Sequence, residues 1–208
     1  MTAGPPPPTA EGPPGRILVV CTGNICRSPY LEHLLRNSLD RQWGPGRIVV
    51  GSAGLRGLQG DPMFPPAAAQ LHARGLAATG FRARRLEAVH VAQADLVLAV
   101  TREHRAAVLR LVPAALRRTV TPAEVALAEG TVRRVDSGEP DLARYLRAAA
   151  AAVVSARPSL SSLDQADLDI EDPYGRSEQA YIQMAEQVQR IFADLLAALS
   201  PAGSAVEE

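Results

Sequence analysis

Apolar and polar positions along the chain follow two periods, one of strands buried on both faces and one of amphipathic helices. "RILVV", Arg16 to Val20, is a continuous apolar run rich in β-branched residues, as expected of an interior strand of a parallel sheet. It stops at Cys21. Behind it Leu31, Leu34, Leu35 and Leu39 recur at helical spacing, Ser28 is the expected cap of that helix, and Pro29 suits its first turn. "RIVVGSAG" predicts a second strand over Arg47 to Val50, then a Gly- and Pro-rich turn from Gly51 to Pro66 and a helix ending at Gly75. "ADLVLAV", Ala94 to Val100, is the third strand, and "TREHRAAVLRLV" behind it opens with a threonine cap and carries an apolar stripe. A short fourth strand is expected near Arg118 to Thr121. Asp141 to Arg157 predicts a helix, Pro158 to Asp169 a Ser/Asp-rich loop, and Ser177 to Leu199 the last helix. The alternation predicts an α/β fold: a four-stranded parallel sheet flanked by helices on both faces, with the site at the carboxyl ends of its strands.

Composition narrows this picture. The chain of 208 residues is expected to form one domain over residues 16–199, between a disordered Pro-rich tail, Met1 to Gly15, and a flexible C-terminal tail, residues 200–208. The formal net charge is zero and no long basic tract occurs, so nucleic acid is not an expected partner. All 22 basic residues are arginine, which excludes a lysine Schiff base or a Walker-type lysine. No apolar run approaches the ~20 residues of a membrane span, and the N-terminus has no signal-peptide pattern, so no membrane partner and a cytoplasmic location are expected. Thiols in that compartment stay mostly reduced, and the two cysteines are expected to be free, catalytic or redox-active.

Cys21 and Cys26 sit in "VCTGNICRSP". A loop of this length between strand and helix can turn successive backbone N–H groups inward onto an anion, helped by the positive end of the helix dipole. Phosphate is the natural guest, bound by Thr22, Gly23, Asn24, Ile25, Cys26 and the planar fork of Arg27. The same positive field favours the thiolate of Cys21, the nucleophilic form, and Gly23 permits backbone that a side chain would hinder. Two cysteines packed as small apolar residues under a βα turn are the competing structural explanation. Zinc is not expected, because only two thiols exist and His33, His72, His90 and His104 show no paired-ligand spacing; each reads as a helix-surface or boundary residue. Phosphoryl transfer also needs an acid for the leaving oxygen. Asp172 in "IEDPYG" is the candidate, held extended by Pro173 on a long loop, with Tyr174 as a pocket wall. Asp164, Asp167, Asp169 and Glu171 are the nearby alternatives.

Taken together, "VCTGNICRSP", "GSAG", "ADLVLAVTREHR" and "DPYG" resemble, in this order, the motifs of the low-molecular-weight protein tyrosine phosphatases, over roughly Arg16 to Leu199. The resemblance implies hydrolysis of phosphotyrosine without metal or cofactor: Cys21 attacks phosphorus, Arg27 and the loop amides hold the oxygens, and Asp172 protonates the phenol and later serves as base. It further implies that Asn24 braces the loop, that Ser28 donates toward the thiolate, and that Cys26 is the redox partner of Cys21 in a reversible disulfide. Leu55 and Leu58 stand where the family often places an aromatic wall, and one tyrosine stands where many members have two, so reduced stacking is expected. Ile25 resembles the tyrosine-directed members, whereas arginine phosphatases of this superfamily tend to have threonine there. A cognate tyrosine kinase is an implied partner. Two other activities fit the loop: arsenate reduction coupled to a small thiol, since no further cysteine follows Cys26, and an inert phosphate- or phosphoprotein-binding module. The segment Ala123 to Ser162 resembles the family least and reads as packing and connection.

Overall fold

The computed structural model of the protein describes residues 12–135, 141–160 and 169–200. Strands β1 (Gly15–Cys21), β2 (Ile48–Gly54), β3 (Leu96–Ala99) and β4 (Thr119–Val120) form one parallel sheet in the order β2-β1-β3-β4. β1 is central, and its alternating side chains explain the unbroken apolar run. Ile17, Val19 and Cys21 enter the larger core, while Leu18 and Val20 enter a second core on the opposite face.

Helices α1 (Arg27–Trp43), α2 (Pro65–His72), α5 (Pro122–Leu127), α6 (Glu129–Val132), α7 (Leu142–Leu160) and α8 (Glu178–Ala198) contribute to the larger core. The smaller core is closed by α3 (Ala88–Gln93), α4 (Arg102–Leu111) and a 3-10 turn, Pro113–Arg118, through Val91, Val108 and Ala115. The leucine stripe of α1 is fully buried, and Thr101 caps α4 by accepting from the His104 amide. The four-stranded parallel sheet with a loop after its first strand is therefore as the sequence predicts.

Several boundaries differ. β2 begins at Ile48 and runs on through "GSAG" to Gly54, because Gly51 to Gly54 pair in register with Leu18 to Cys21 instead of turning away. Ser28 does not cap α1: the helix starts at Arg27 with Cys26 in the cap position and no side-chain cap bond, which frees the Ser28 hydroxyl for the loop. α7 continues through Pro158 to Leu160, where the sequence predicts the start of a loop; residues 161–168, including Asp164 and Asp167, lie outside the described residues. The expected tails fall largely outside them too, at residues 1–11 and 201–208, and Gly15 already pairs with Ile48.

α5 and α6, six and four residues long, are too short to leave a periodic pattern in the sequence. With α7 they give the segment least like the family a packing role. Gly15 lies so close to α7 that an added Cβ would come 2.8 Å from Leu146 Cδ1 and 3.1 Å from the Leu142 carbonyl.

Candidate active site

The segment Cys21 to Arg27 leaves the carboxyl end of the central strand and enters α1, and its carbonyls are drawn to one side. Cys21 O accepts from Leu55 N at 2.9 Å, Thr22 O from Arg56 N at 2.9 Å, Gly23 O from Leu58 N at 3.1 Å and Ile25 O from Phe64 N at 2.8 Å. In a planar trans peptide the following N–H points the opposite way, so the amides of Thr22, Gly23, Asn24 and Cys26 face away from the 55–64 segment. One reaches the sulfur directly: Asn24 N donates to Cys21 Sγ at 3.3 Å. The approach is close enough to require glycine on the partner strand, since a Cβ on Gly54 would stand 2.5 Å from the Thr22 carbonyl.

Asn24 holds this turn in the left-handed region, with φ 57°. Its buried side chain compensates for that strain. Asn24 Nδ2 donates to Ser28 Oγ at 3.0 Å and Ser52 Oγ at 2.7 Å, while its Oδ1 accepts from Arg84 N at 2.9 Å. Ser52 in turn bonds Glu32, and Arg84 Nε donates to the Ser52 carbonyl at 2.7 Å. Ser28 Oγ lies 2.9 Å from Cys21 Sγ. Asn24 thus contributes its backbone amide to the cradle and its side chain to the scaffold behind it.

Arg27 is buried at the base of the site. Its Nη1 donates to the Ile170 carbonyl at 3.2 Å, and its Nη2 to Thr22 Oγ1 at 3.3 Å and Asp172 Oδ2 at 2.5 Å. The segment bearing Asp172 is fixed to the end of β3 by Ile170 N donating to the Val100 carbonyl at 2.9 Å. Asp172 Oδ1 accepts from Tyr174 N at 3.2 Å, closing a turn over Pro173. Of the alternative acids, Asp169 pairs with Arg102 at 3.1 Å and Glu171 with Arg176 at 3.2 Å. Asp172 is the carboxylate that lines the pocket.

That pocket, about 200 Å³, is lined by the loop from Cys21 to Arg27 without Asn24, together with Arg56, Leu58, Asp172 and Tyr174. Leu55, expected at the wall, is not there; it faces the smaller core beneath the sheet, as strand-like alternation past Gly54 requires. Tyr174 has an aromatic backing that the sequence did not reveal. The Phe64 ring packs edge-on to it at 5.5 Å and stacks on Tyr181 at 5.8 Å.

Two further residues escaped sequence reasoning. Arg56 lines the pocket beside Leu58. His104, expected at a surface or boundary, is buried, with Nε2 2.9 Å from Thr22 Oγ1 and Nδ1 against Thr101 Oγ1. Burial, reinforced by Arg27 and opposed by Asp172 and Asp169, lowers its pKa to about 4, so the ring is neutral near pH 7. Each ring nitrogen faces a threonine hydroxyl that already accepts one bond, Thr22 Oγ1 from Arg27 Nη2 and Thr101 Oγ1 from the His104 amide, so the neutral ring donates to one hydroxyl and accepts from the other. Its position in the first turn of α4, behind a strand's carboxyl end, is the signal that points there. The Cys26 thiol is pushed up to about 12 by burial, then by the charges of Cys21 and Asp172, against the pull of Arg27.

The profile of the low molecular weight phosphotyrosine protein phosphatase family matches residues 16–121. The chain belongs to that family. Within it, the chain is 42% identical over 104 residues to the low molecular weight protein-tyrosine-phosphatase Etp of Escherichia coli K12, covering 50% of this chain and 66% of that protein. It is 37% identical over 108 residues to a protein-arginine-phosphatase of Geobacillus stearothermophilus, covering 52% and 69%. The chain thus spans slightly less than two thirds of Etp. The crystal structure of the Erwinia amylovora tyrosine phosphatase AmsI superposes with a TM-score of 0.63 at 25% identity, covering 89% of this chain and 93% of that one. Among the described residues, no group of three or more His, Cys, Asp or Glu could hold a metal ion, and no helix is long and apolar enough to cross a membrane.

Proposed function

We propose that the chain hydrolyses phosphotyrosine monoesters through a phosphocysteine on Cys21. The observation that carries this function is one small pocket lined by a sulfur, a buried guanidinium, a carboxylate and apolar walls from Ile25, Leu58 and Tyr174. The walls suit a phenyl ring. Asp172 is the one carboxylate among the lining residues, and its role as acid leaves none to pair with a phosphoarginine guanidinium.

The proposed reaction has two steps. The Cys21 thiolate forms the S–P bond as the P–O bond to the phenol breaks, and the Asp172 carboxyl gives its proton to the phenol oxygen. The loop amides and Arg27 hold the non-bridging oxygens through this transfer. Because Arg27 Nη2 bonds Asp172, an incoming phosphate exchanges that partner and leaves the carboxyl free to act as acid. Water then attacks phosphorus, Asp172 takes its proton, the S–P bond breaks and phosphate leaves. Ser28 and the Asn24 amide face the sulfur as donors and stabilise it as leaving group.

The substrate is accordingly a phosphotyrosine protein or a small aryl phosphate, supplied by a tyrosine kinase in the cytoplasm. Cys26 is the redox partner: peroxide converts the Cys21 thiolate to a sulfenic acid, Cys26 attacks that sulfur, and water leaves as the disulfide forms. Loss of the Cys21 charge in the first step removes one of the forces that keep Cys26 protonated. Turnover of p-nitrophenyl phosphate and of a phosphotyrosine peptide, lost in Cys21→Ser, tests the function. Cleavage of phosphoarginine but not phosphotyrosine peptides would refute it.

A further inference from the structure

We propose that Arg56 makes the site selective for phosphotyrosine flanked by acidic side chains, an inference that rests on the phosphotyrosine activity proposed above. Arg56 is exposed and lines the pocket beside Leu58. Its backbone is fixed on the phosphate loop, with Arg56 N donating to the Thr22 carbonyl at 2.9 Å and Leu55 N to the Cys21 carbonyl at 2.9 Å. Gly57 follows with no room for a side chain, since an added Cβ would come 2.2 Å from the Arg84 carbonyl. The segment therefore carries a guanidinium at the pocket from a backbone position hydrogen-bonded to the phosphate loop itself.

The charges around the pocket leave this guanidinium uncompensated. Asp172 is paired with Arg27, Asp169 with Arg102, and Glu171 with Arg176. No carboxylate among the described residues forms an ion pair with Arg56. The reacting phosphate has its own cation in buried Arg27 and its own donors in the loop amides, so Arg56 is left for a second anion. A planar, permanently charged fork on an exposed rim selects carboxylates, and it holds them with the modest strength of a solvent-exposed ion pair. Such a pair favours the acidic peptide by about three- to fivefold at low ionic strength, and added salt weakens the preference.

The test compares kcat/KM for phosphotyrosine peptides that differ only in flanking Glu, Gln or Arg, with p-nitrophenyl phosphate alongside, in the wild-type chain, Arg56→Ala and Arg56→Glu. Affinities of the same labelled peptides for Cys21→Ser and for Cys21→Ser carrying Arg56→Ala are measured in parallel. Expected is a wild-type preference for the Glu peptide over the Gln peptide of about three- to fivefold. That ratio falls to about one in Arg56→Ala, and the order reverses in Arg56→Glu, where the Arg peptide becomes the better substrate. A ratio unchanged by either substitution overturns the proposal. So does an equal loss on every substrate including p-nitrophenyl phosphate, which would place Arg56 on the reacting phosphate. Absence of wild-type turnover together with the expected affinity ratio would refute hydrolysis while sustaining acidic-peptide selection; absence of both turnover and ratio would refute each.

Discussion

In the proposed reaction Asp172 has two exclusive tasks at one atom. Its Oδ2 is 2.5 Å from Arg27, yet protonation of a leaving phenol requires the carboxyl to be released from that ion pair. Asp172→Asn should lower kcat for phenyl phosphate about 100- to 10,000-fold while inorganic phosphate still inhibits competitively, read from initial rates with phosphate as inhibitor. A much smaller loss with p-nitrophenyl phosphate, whose leaving group needs little protonation, is the accompanying signature. That Cys21, Arg27 and Asp172 meet in one pocket is legible in the sequence, because each is marked locally: a thiol ending an apolar run, an arginine at a helix start, an acid before proline. Beyond neighbouring Ser28, the partners of Asn24 are not. They are Ser52 and Arg84, 28 and 60 residues away, and only the closed sheet brings them together. His104 was misjudged for the same reason, its Thr22 contact spanning 82 residues.

Elements long enough to show a period are legible in the sequence, as is two-residue β4, whereas the short helices α3, α5 and α6 are not. β1 and α1 declare themselves by an apolar run and a leucine stripe, whereas six-residue α5 shows too little of its face to register. α5 is nevertheless tied in by Glu124. This residue closes a capping box with Thr121 and pairs with Arg105 and with Arg157 of α7, the latter at 2.9 Å. Burial pushes the Glu124 pKa up, but bonds from Arg157, the Thr121 amide and Arg105 outweigh it and hold the group ionised below its ordinary range. Glu124→Ala should cost about 3 to 5 kcal/mol, because two partly buried guanidinium groups lose their shared carboxylate. Urea unfolding monitored by circular dichroism reads this as a lowered midpoint. Pro158 misled in the other direction: its ring falls near the end of described α7, where forgoing one backbone bond does not stop the helix.

For the whole molecule, the strand order decides where chemistry occurs. With β1 at the centre of β2-β1-β3-β4, the loop behind it is flanked by the ends of β2 and β3, from which the 55–64 segment and the His104 helix depart. Stability should therefore depend on what the loop holds. Phosphate at a hundred times its dissociation constant should add about 2.7 kcal/mol and raise Tm in the wild-type chain, with little shift in Arg27→Ala. Acid should act in the opposite sense. His104 has its folded pKa lowered from 6.5 to about 4, so the unfolded chain binds the proton first and stability falls as pH drops through that window. Burial lowers His33 and His90 as well, in the same direction. The His104 contribution is at most about 3 kcal/mol, and His104→Gln should flatten the fall between pH 6.5 and 4 in denaturation midpoints.

If the phosphoryl group passes through Cys21, rapid acid quench of the wild-type chain during turnover of a phosphotyrosine peptide traps it there. Intact-mass and peptide mapping of the quenched protein should find one phosphoryl group, acid-stable and thiol-linked, at Cys21, accumulating further in Asp172→Ala with an activated aryl phosphate and absent in Cys21→Ser. Phosphotyrosine turnover that persists in Cys21→Ser, or a phosphoryl group mapped to another residue, would contradict that route.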